Sequence, residues 1–331
     1  MNSLILSKKS FILYFGYAFL ISYSSAAVSG PLTPDFQNWL VSHGYEKDDF
    51  VRSDQGTQGS YGGFTNTSKI VKNVPVVFIH GNSDSALQTS SFATGWSNSV
   101  EYFLSQGYTT AELYATSWQD TNFLKASLRT HNCRDLLRLR RFLEAVLAYT
   151  GSSKLSIVSH SMGVTLGRKI VKGGSVNAAD GNCDLGKPIN RNVEVFVGIA
   201  GANFGLCNCQ GVEHVEKTCN KQNGFFPGDS CGANTLNCGT HPLPKPCNGP
   251  TYSTLLSQMN SDNMKEADYV FSTWSHVDDL IQFNDMTWGR PTSLIPTSDA
   301  FHEYPSYTHM QTKEQTAPDQ YQMVKNKKIP S

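Results

Sequence analysis

The stretch of this chain best suited to chemistry is Ser159-His160-Ser161-Met162-Gly163. It follows the apolar run Lys154-Leu155-Ser156-Ile157-Val158 and precedes a helical pattern, Val164 to Val171, with Gly167 inside it. A buried strand, a tight turn with serine at its apex and a closely packed helix together form a nucleophile elbow. Such a turn holds the Ser161 hydroxyl out at a sheet edge. The next backbone N–H and the positive end of the helix then face any negative charge that develops. The turn needs small residues two places either side of the serine. Gly163 meets that need, and Ser159 stands where glycine is commoner.

A serine hydroxyl is a weak nucleophile near neutral pH, so it needs a general base, normally a histidine whose second nitrogen is fixed by a carboxylate. In a sheet of this kind those partners follow later strands, in the order Ser, Asp, His. Trp274 to Ile281 offers Asp278 and Asp279, and Ser306 to Met310 offers His309. Neighbouring side chains on an extended backbone point opposite ways, so one aspartate faces the histidine, and spacing alone does not separate the pair. His302 is the rival base, but it falls inside a presumed strand, whereas His309 falls on the loop beyond. His160 and His276 read as neighbours of the nucleophile and acid rather than as proton carriers. A tetrahedral intermediate also needs N–H donors at its oxyanion. Met162 should supply one, and Asn82, in His80-Gly81-Asn82 after an apolar run, has the place for the second. The plainer reading of His-Gly-Asn is a strand-ending turn.

These residues need a scaffold to position them. Val74 to Ile79 and Thr109 to Thr116 read as strands, with helical spacing at Asn98 to Gln106 between them. Residues 133–150 carry Leu136, Leu139, Phe142, Leu143, Val146 and Leu147 on one helical face, with Gly151 placed to end the helix. Arg134, Arg138, Arg141 and Glu144 take the opposite face, which reads as solvated. Val193 to Ala200, Ala267 to Phe271 and Ala300 to Tyr304 complete the strands. The alternation predicts an α/β fold with a mainly parallel sheet that continues to both sides of the elbow. Residues 31–73 read as an N-terminal extension around a short helix at Phe36 to Leu40.

Lys8 and Lys9, the apolar run Phe11 to Ile21 and the small residues Ser24 to Ala27 read as a secretory signal covering residues 1–27. Its apolar run is too short to span a bilayer. Cleavage leaves 304 of 331 residues as one domain, 28–331, with a formal balance of −2 once those two lysines leave the 27 cations set against 27 anions. That balance excludes an electrostatic case for nucleic acid. Of eight cysteines, six lie between Cys207 and Cys247. In an exported chain such grouping points to disulfides, and the absence of a Cys-x-x-Cys pair argues against zinc at His214 or His241. Asn66-Thr67-Ser68 is a glycosylation sequon in a Gly/Ser/Thr-rich stretch.

The sequence resembles the class 2 lipases in their nematode-type branch, secreted enzymes of the α/β-hydrolase superfamily. The likeness rests on Phe78-Ile79-His80-Gly81-Asn82, Ser159-His160-Ser161-Met162-Gly163, Trp274-Ser275-His276-Val277-Asp278-Asp279 and Thr308-His309-Met310. It implies hydrolysis of acylglycerol or other carboxylic esters through an acyl-enzyme on Ser161, without cofactor or metal, and it favours Asp278 over Asp279 as the acid. A cysteine-rich insertion at about 205–248 would then lie where related folds carry a cap. Its Phe225, Phe226 and Pro227 could offer apolar surface to lipid, as a lid, a fixed cap or only a stapled loop. The alternatives for function are a short-chain esterase, a thioesterase or acyltransferase with the same triad, and a secreted binding protein that keeps the fold without turnover.

Overall fold

Short β-branched and aromatic runs become strands because both faces of the sheet they form are covered. The computed structural model describes residues 28–65, 69–228, 238–239 and 250–330. Among the described residues the first element is α1 (Pro34–Ser42), and β1 (Ser60–Tyr61) then forms one edge of the sheet. Next come β2 (Val76–Ile79), α2 (Ser97–Ser105), β3 (Leu113–Thr116), α3 (Cys133–Thr150), β4 (Leu155–His160) and α4 (Met162–Lys172). A hairpin of β5 (Ser175–Ala178) and β6 (Gly181–Asp184) leads to β7 (Val193–Ile199), α5 (Thr254–Ser261) and β8 (Tyr269–Ser275). Two short strands, β9 (Met286–Thr287) and β10 (Arg290–Pro291), precede β11 (Ala300–Tyr304), α6 (Gln311–Glu314) and α7 (Ala317–Tyr321).

The main sheet has seven strands in the order β1-β3-β2-β4-β7-β8-β11, parallel throughout except for β1. Its alternating side chains divide between two apolar layers. Val77, Ile79, Leu155 and Ile157 join α1, α3, α4 and α5 on one face. Val76, Phe78, Val158 and Val197 join Val100 and Phe103 of α2 and the C-terminal Met323 and Val324 on the other. The parallel sheet with helices on both faces is as the sequence predicted, and β4 sits in the middle strand position.

The arginine face of α3 is a correction. Only Arg134 is exposed there. Arg138 donates to the carbonyls of Asp48 and Trp118 at 3.1 Å each, and Arg141 donates to Asp48 Oδ1 at 2.7 Å. The segment after α1 lies over this face, and long guanidinium stems reach its carbonyl groups. α1 itself is capped by Thr33, whose Oγ1 accepts from Phe36 N, and Phe36 stacks on Tyr149 of α3 at 4.2 Å.

Three disulfides are present among the described residues. Cys133–Cys183 ties the β5–β6 hairpin to the start of α3, while Cys207–Cys238 and Cys209–Cys219 staple the segment after β7. Residues 1–27, Asn66, Cys231, His241 and Cys247 lie outside the described residues. No described helix is long and apolar enough to cross a membrane.

Candidate active site

Ser161 stands alone between the last residue of β4 and the first of α4, at φ 56° and ψ −130°. A side-chain-bearing residue held there costs roughly 1–3 kcal/mol, so its surroundings must enforce the turn. Its N–H donates to Ile199 O at 2.9 Å, and its carbonyl accepts from Val164 N at 3.0 Å. A Cβ on Gly163 would fall 2.4 Å from Ile79 O, and one on Gly81 would fall 2.8 Å from Ser161 Cβ. Both glycines are therefore demanded by close backbone approach. Ser159 is tolerated because its hydroxyl, fully buried, donates to Val197 O at 2.8 Å.

The loops after β8 and β11 bring together the candidate acid and the candidate base. His309 Nδ1–H donates to Asp278 Oδ2 at 2.7 Å, and both residues are buried. The other oxygen of Asp278 accepts from Leu280 N at 2.9 Å and Ile281 N at 2.7 Å. Burial pushes this carboxyl up. The His309 ring, its hydrogen bond and the two amides outweigh that and hold it below the usual carboxylate range. His309 Nε2 is buried and has no hydrogen-bond partner among the described residues, and the ring borders the same 260 Å³ cavity as Ser161. With Nδ1 carrying the proton, Nε2 is left as an acceptor.

Asp279 also serves His309. Its Oδ1 accepts from the His309 backbone N–H at 2.8 Å, so the adjacent aspartates hold the ring and the loop respectively. His160 is fully buried and donates from Nε2 to His309 O at 3.0 Å. Burial, then the charges of His309 and Lys313, keep it far below the usual imidazole range. His302 lies on β11, and His276 pairs with Glu303 at 2.8 Å on the surface.

The loop after β2 is fixed by its side chains. His80 Nδ1–H donates to Gly81 O at 2.7 Å while Nε2 accepts from Trp118 N at 3.1 Å, and burial lowers this ring to about 4. Asn82 spends its side chain on Ala126 O at 2.9 Å and on Arg129 Nη1 at 3.0 Å. Its backbone N–H meets no carbonyl acceptor among the described residues. Met162, as the first residue of α4, likewise has an N–H outside the helical ladder. Asn82 borders both cavities at Ser161, and Met162 borders one of them.

Three residues that hold this loop were not read from the sequence. Buried Arg129 donates to Asn82 Oδ1, to Ser83 Oγ at 2.5 Å and to Asp120 Oδ1 at 2.6 Å. On the other side Lys313, on α6 just beyond His309, donates to Asp84 Oδ2 at 2.6 Å and to Thr94 Oγ1 at 3.0 Å. Asp84 Oδ1 accepts from Ser85 N and Gly95 N at 2.9 and 2.8 Å. Burial pushes the Asp84 carboxyl up, but the Lys313 charge, with His80 and the hydrogen bonds from Lys313 and Gly95, holds it below the usual carboxylate range. The one sequence signal was a lysine four places after His309, in a segment with no apolar periodicity to mark it as buried.

Two cavities meet at Ser161 and share Asn82, Ala126 and Leu280. One, of 350 Å³, runs between Met162 and the stapled segment, against Leu206, Phe225 and the Cys209–Cys219 bridge. The other carries His309, Gly81, Phe92 and Phe123. The expectation that Phe225 and Phe226 face outward is corrected: they are 4% and 3% exposed. Leu206 N donates to Phe225 O at 2.9 Å, and these two residues border the cavity, which Phe226 does not.

A family model described as Lipase (class 2) matches residues 73–322. Among solved structures, the mature-form lipase BlEst2 of Bacillus licheniformis is similar at 13% identity and TM-score 0.45, over 80% of this chain and 97% of that one. Aspergillus fumigatus lipase B is similar at 11% identity and TM-score 0.39, over 77% of this chain and 48% of that one. No curated protein matches the chain.

Proposed function

The chain belongs to the class 2 lipase family and is an ester hydrolase, and from that premise we propose that it is a secreted triacylglycerol lipase working through Ser161, His309 and Asp278. His309 Nε2 takes the Ser161 proton as Oγ attacks the ester carbonyl. It then gives that proton to the leaving alkoxide, and afterwards activates water to free the acid from Ser161. Asp278 holds the imidazole tautomer and balances the imidazolium. The N–H groups of Met162 and Asn82 take the oxyanion, each donor contributing roughly two to three powers of ten in rate.

The observation that carries this reading is the buried His309 Nε2, without a hydrogen-bond partner among the described residues, on the cavity that Ser161 also borders, with Nδ1 bonded to Asp278. Export is supported by the signal-like residues 1–27 and by disulfides, which persist in oxidising compartments. We place glycosylation at Asn66 on the same grounds.

The test is hydrolysis of aryl esters from short to long acyl chains and of emulsified triacylglycerol, wild type beside Ser161→Ala. Long chains should be cleaved, with kcat falling on the order of 10⁶-fold in the variant. Activity on short chains alone would reduce the reading to an esterase. Serine-independent or absent hydrolysis would overturn it.

A further inference from the structure

The N–H groups of Asn82 and Met162 come from distant parts of the chain, so the spacing between them must be fixed by something else. A displacement of about half an ångström removes much of the effect of a preorganised donor. On the Asn82 side the ties lead to one short strip. Asn82 Nδ2 donates to Ala126 O at 2.9 Å, and Arg129 Nη1 donates to Asn82 Oδ1 at 3.0 Å. Two residues further on, His131 reaches the Met162 side. Its ring is fully buried, and Nε2 lies 2.7 Å from Thr165 Oγ1, in the first turn of α4. The same hydroxyl oxygen lies 3.1 Å from Met162 O.

The tautomer of His131 follows from its other nitrogen. Nδ1 faces Asn223 O at 2.8 Å, and a carbonyl only accepts, so Nδ1 carries the proton and Nε2 accepts from Thr165. Burial lowers the ring to about 4, which keeps this arrangement neutral. Without Nε2, Thr165 would turn its single hydroxyl proton onto Met162 O, three residues back, a bond that bends helices. The ring is itself braced. His131 N–H donates to Asn223 O at 3.1 Å, Asn223 Nδ2 donates to His131 O at 3.1 Å, and Phe225 meets the imidazole edge-on at 5.1 Å. We propose that His131 is a positioning residue, which holds the first turn of α4 so that the Met162 N–H keeps its place beside that of Asn82, and that residues 129–131 are the common mount of both donors. The proposal rests on the roles given above to Ser161, Met162 and Asn82.

The test sets kcat and KM for a short-chain aryl ester beside the affinity of an alkyl boronic acid, whose tetrahedral adduct with Ser161 puts an oxygen where the oxyanion lies. Titration with a phosphonate ester counts active sites, so rates are per folded molecule. His131→Asn keeps a donor for Asn223 O but stops short of Thr165. Thr165→Val removes the hydroxyl and keeps the branched shape, so it decides the matter where the first variant fails to fold. Each should lower kcat and boronate affinity about tenfold, part of the two to three powers of ten that one donor carries, with KM changed less than about twofold. The pH profile should keep its shape, and Thr165→Ser should restore both quantities. A lower unfolding midpoint with kcat and boronate affinity per site unchanged would make His131 merely structural and overturn the proposal. A rise in KM without loss of boronate affinity would overturn it too. The common mount also predicts the same paired losses for Arg129→Met, and losses confined to the other two variants would overturn that part. A wild-type chain with no Ser161-dependent hydrolysis and no boronate adduct would instead remove the catalytic roles on which the proposal rests.

Discussion

On the histidine side of Ser161 the structure is held by direction and charge, and on the opposite side by bulk and covalent staples. Asp278, Asp279 and His160 each bond a different atom of His309, and Lys313 and Arg129 grip the loop that carries Asn82. Across the elbow, Leu206 and Phe225 line the cavity beside the Cys209–Cys219 bridge. The difference follows from what each side must do. Proton transfer and oxyanion binding fail when donors stray by about half an ångström, and hydrogen bonds fix direction. A wall for a flexible chain needs only shape, which apolar packing and a short covalent loop supply.

The comparison breaks most sharply at Asp278. Asp278→Asn should lower kcat about 10⁴-fold by releasing the imidazole tautomer, with a near-unchanged denaturant midpoint; a stability loss matching the rate loss would mean the carboxylate is structural. Next is Lys313→Met, which leaves Asp84 buried without its cation and should cost about 3–5 kcal/mol in urea unfolding. Adding Asp84→Asn should recover part of that stability, and no loss in the single variant would remove Lys313 as a tie. On the apolar side, Cys209→Ser with Cys219→Ser should cost about 3 kcal/mol for a loop of this length. Hydrolysis of short acyl chains should persist while the preference for long ones fades. An equal fall for both would place the bridge on the chemistry side.

The smallest effect tests the charge rule in reverse. Asp285 is fully buried, bonds Ser293 Oγ at 2.6 Å and Ser293 N at 3.0 Å, and has no cation partner among the described residues. Burial pushes this carboxyl far above the usual carboxylate range, up to about 8. The unfolded chain therefore releases this proton near pH 4 and the folded one near pH 8. Stability from this group is fully present below about pH 4 and is lost as pH rises towards 8, by up to about 1.4 kcal/mol between pH 6 and 7. Asp285→Asn should flatten the slope of melting temperature with pH across that window, and an unchanged slope would assign it elsewhere.

What was legible in the sequence was local. The elbow could be read because strand, turn and helix succeed one another within a score of residues, and Ala300 to Tyr304 is a strand with those bounds. Asp278 and Asp279 could not be parted by alternation, since they leave β8 on a turning loop and both end at His309. The ties to Lys313 and Arg129 span 229 and 47 residues, and no periodicity marks a lysine for burial. Phe225 and Phe226 could be taken for lipid-facing surface because the insertion falls where related folds carry a cap, yet both are buried, with a hydrogen bond from Leu206 to Phe225.

The parallel order of the sheet has a kinetic consequence. Ser161, Asp278 and His309 follow β4, β8 and β11, so the last of them arrives only when β11 has paired along β8 at the sheet edge. Contacts so distant along the chain close slowly and late. A chain cut just before residue 300 would retain the proposed nucleophile and acid but not the proposed base, whatever core it had built. Turnover would thus report completion of the whole fold, and the return of activity during refolding should lag behind the return of helix and sheet signals.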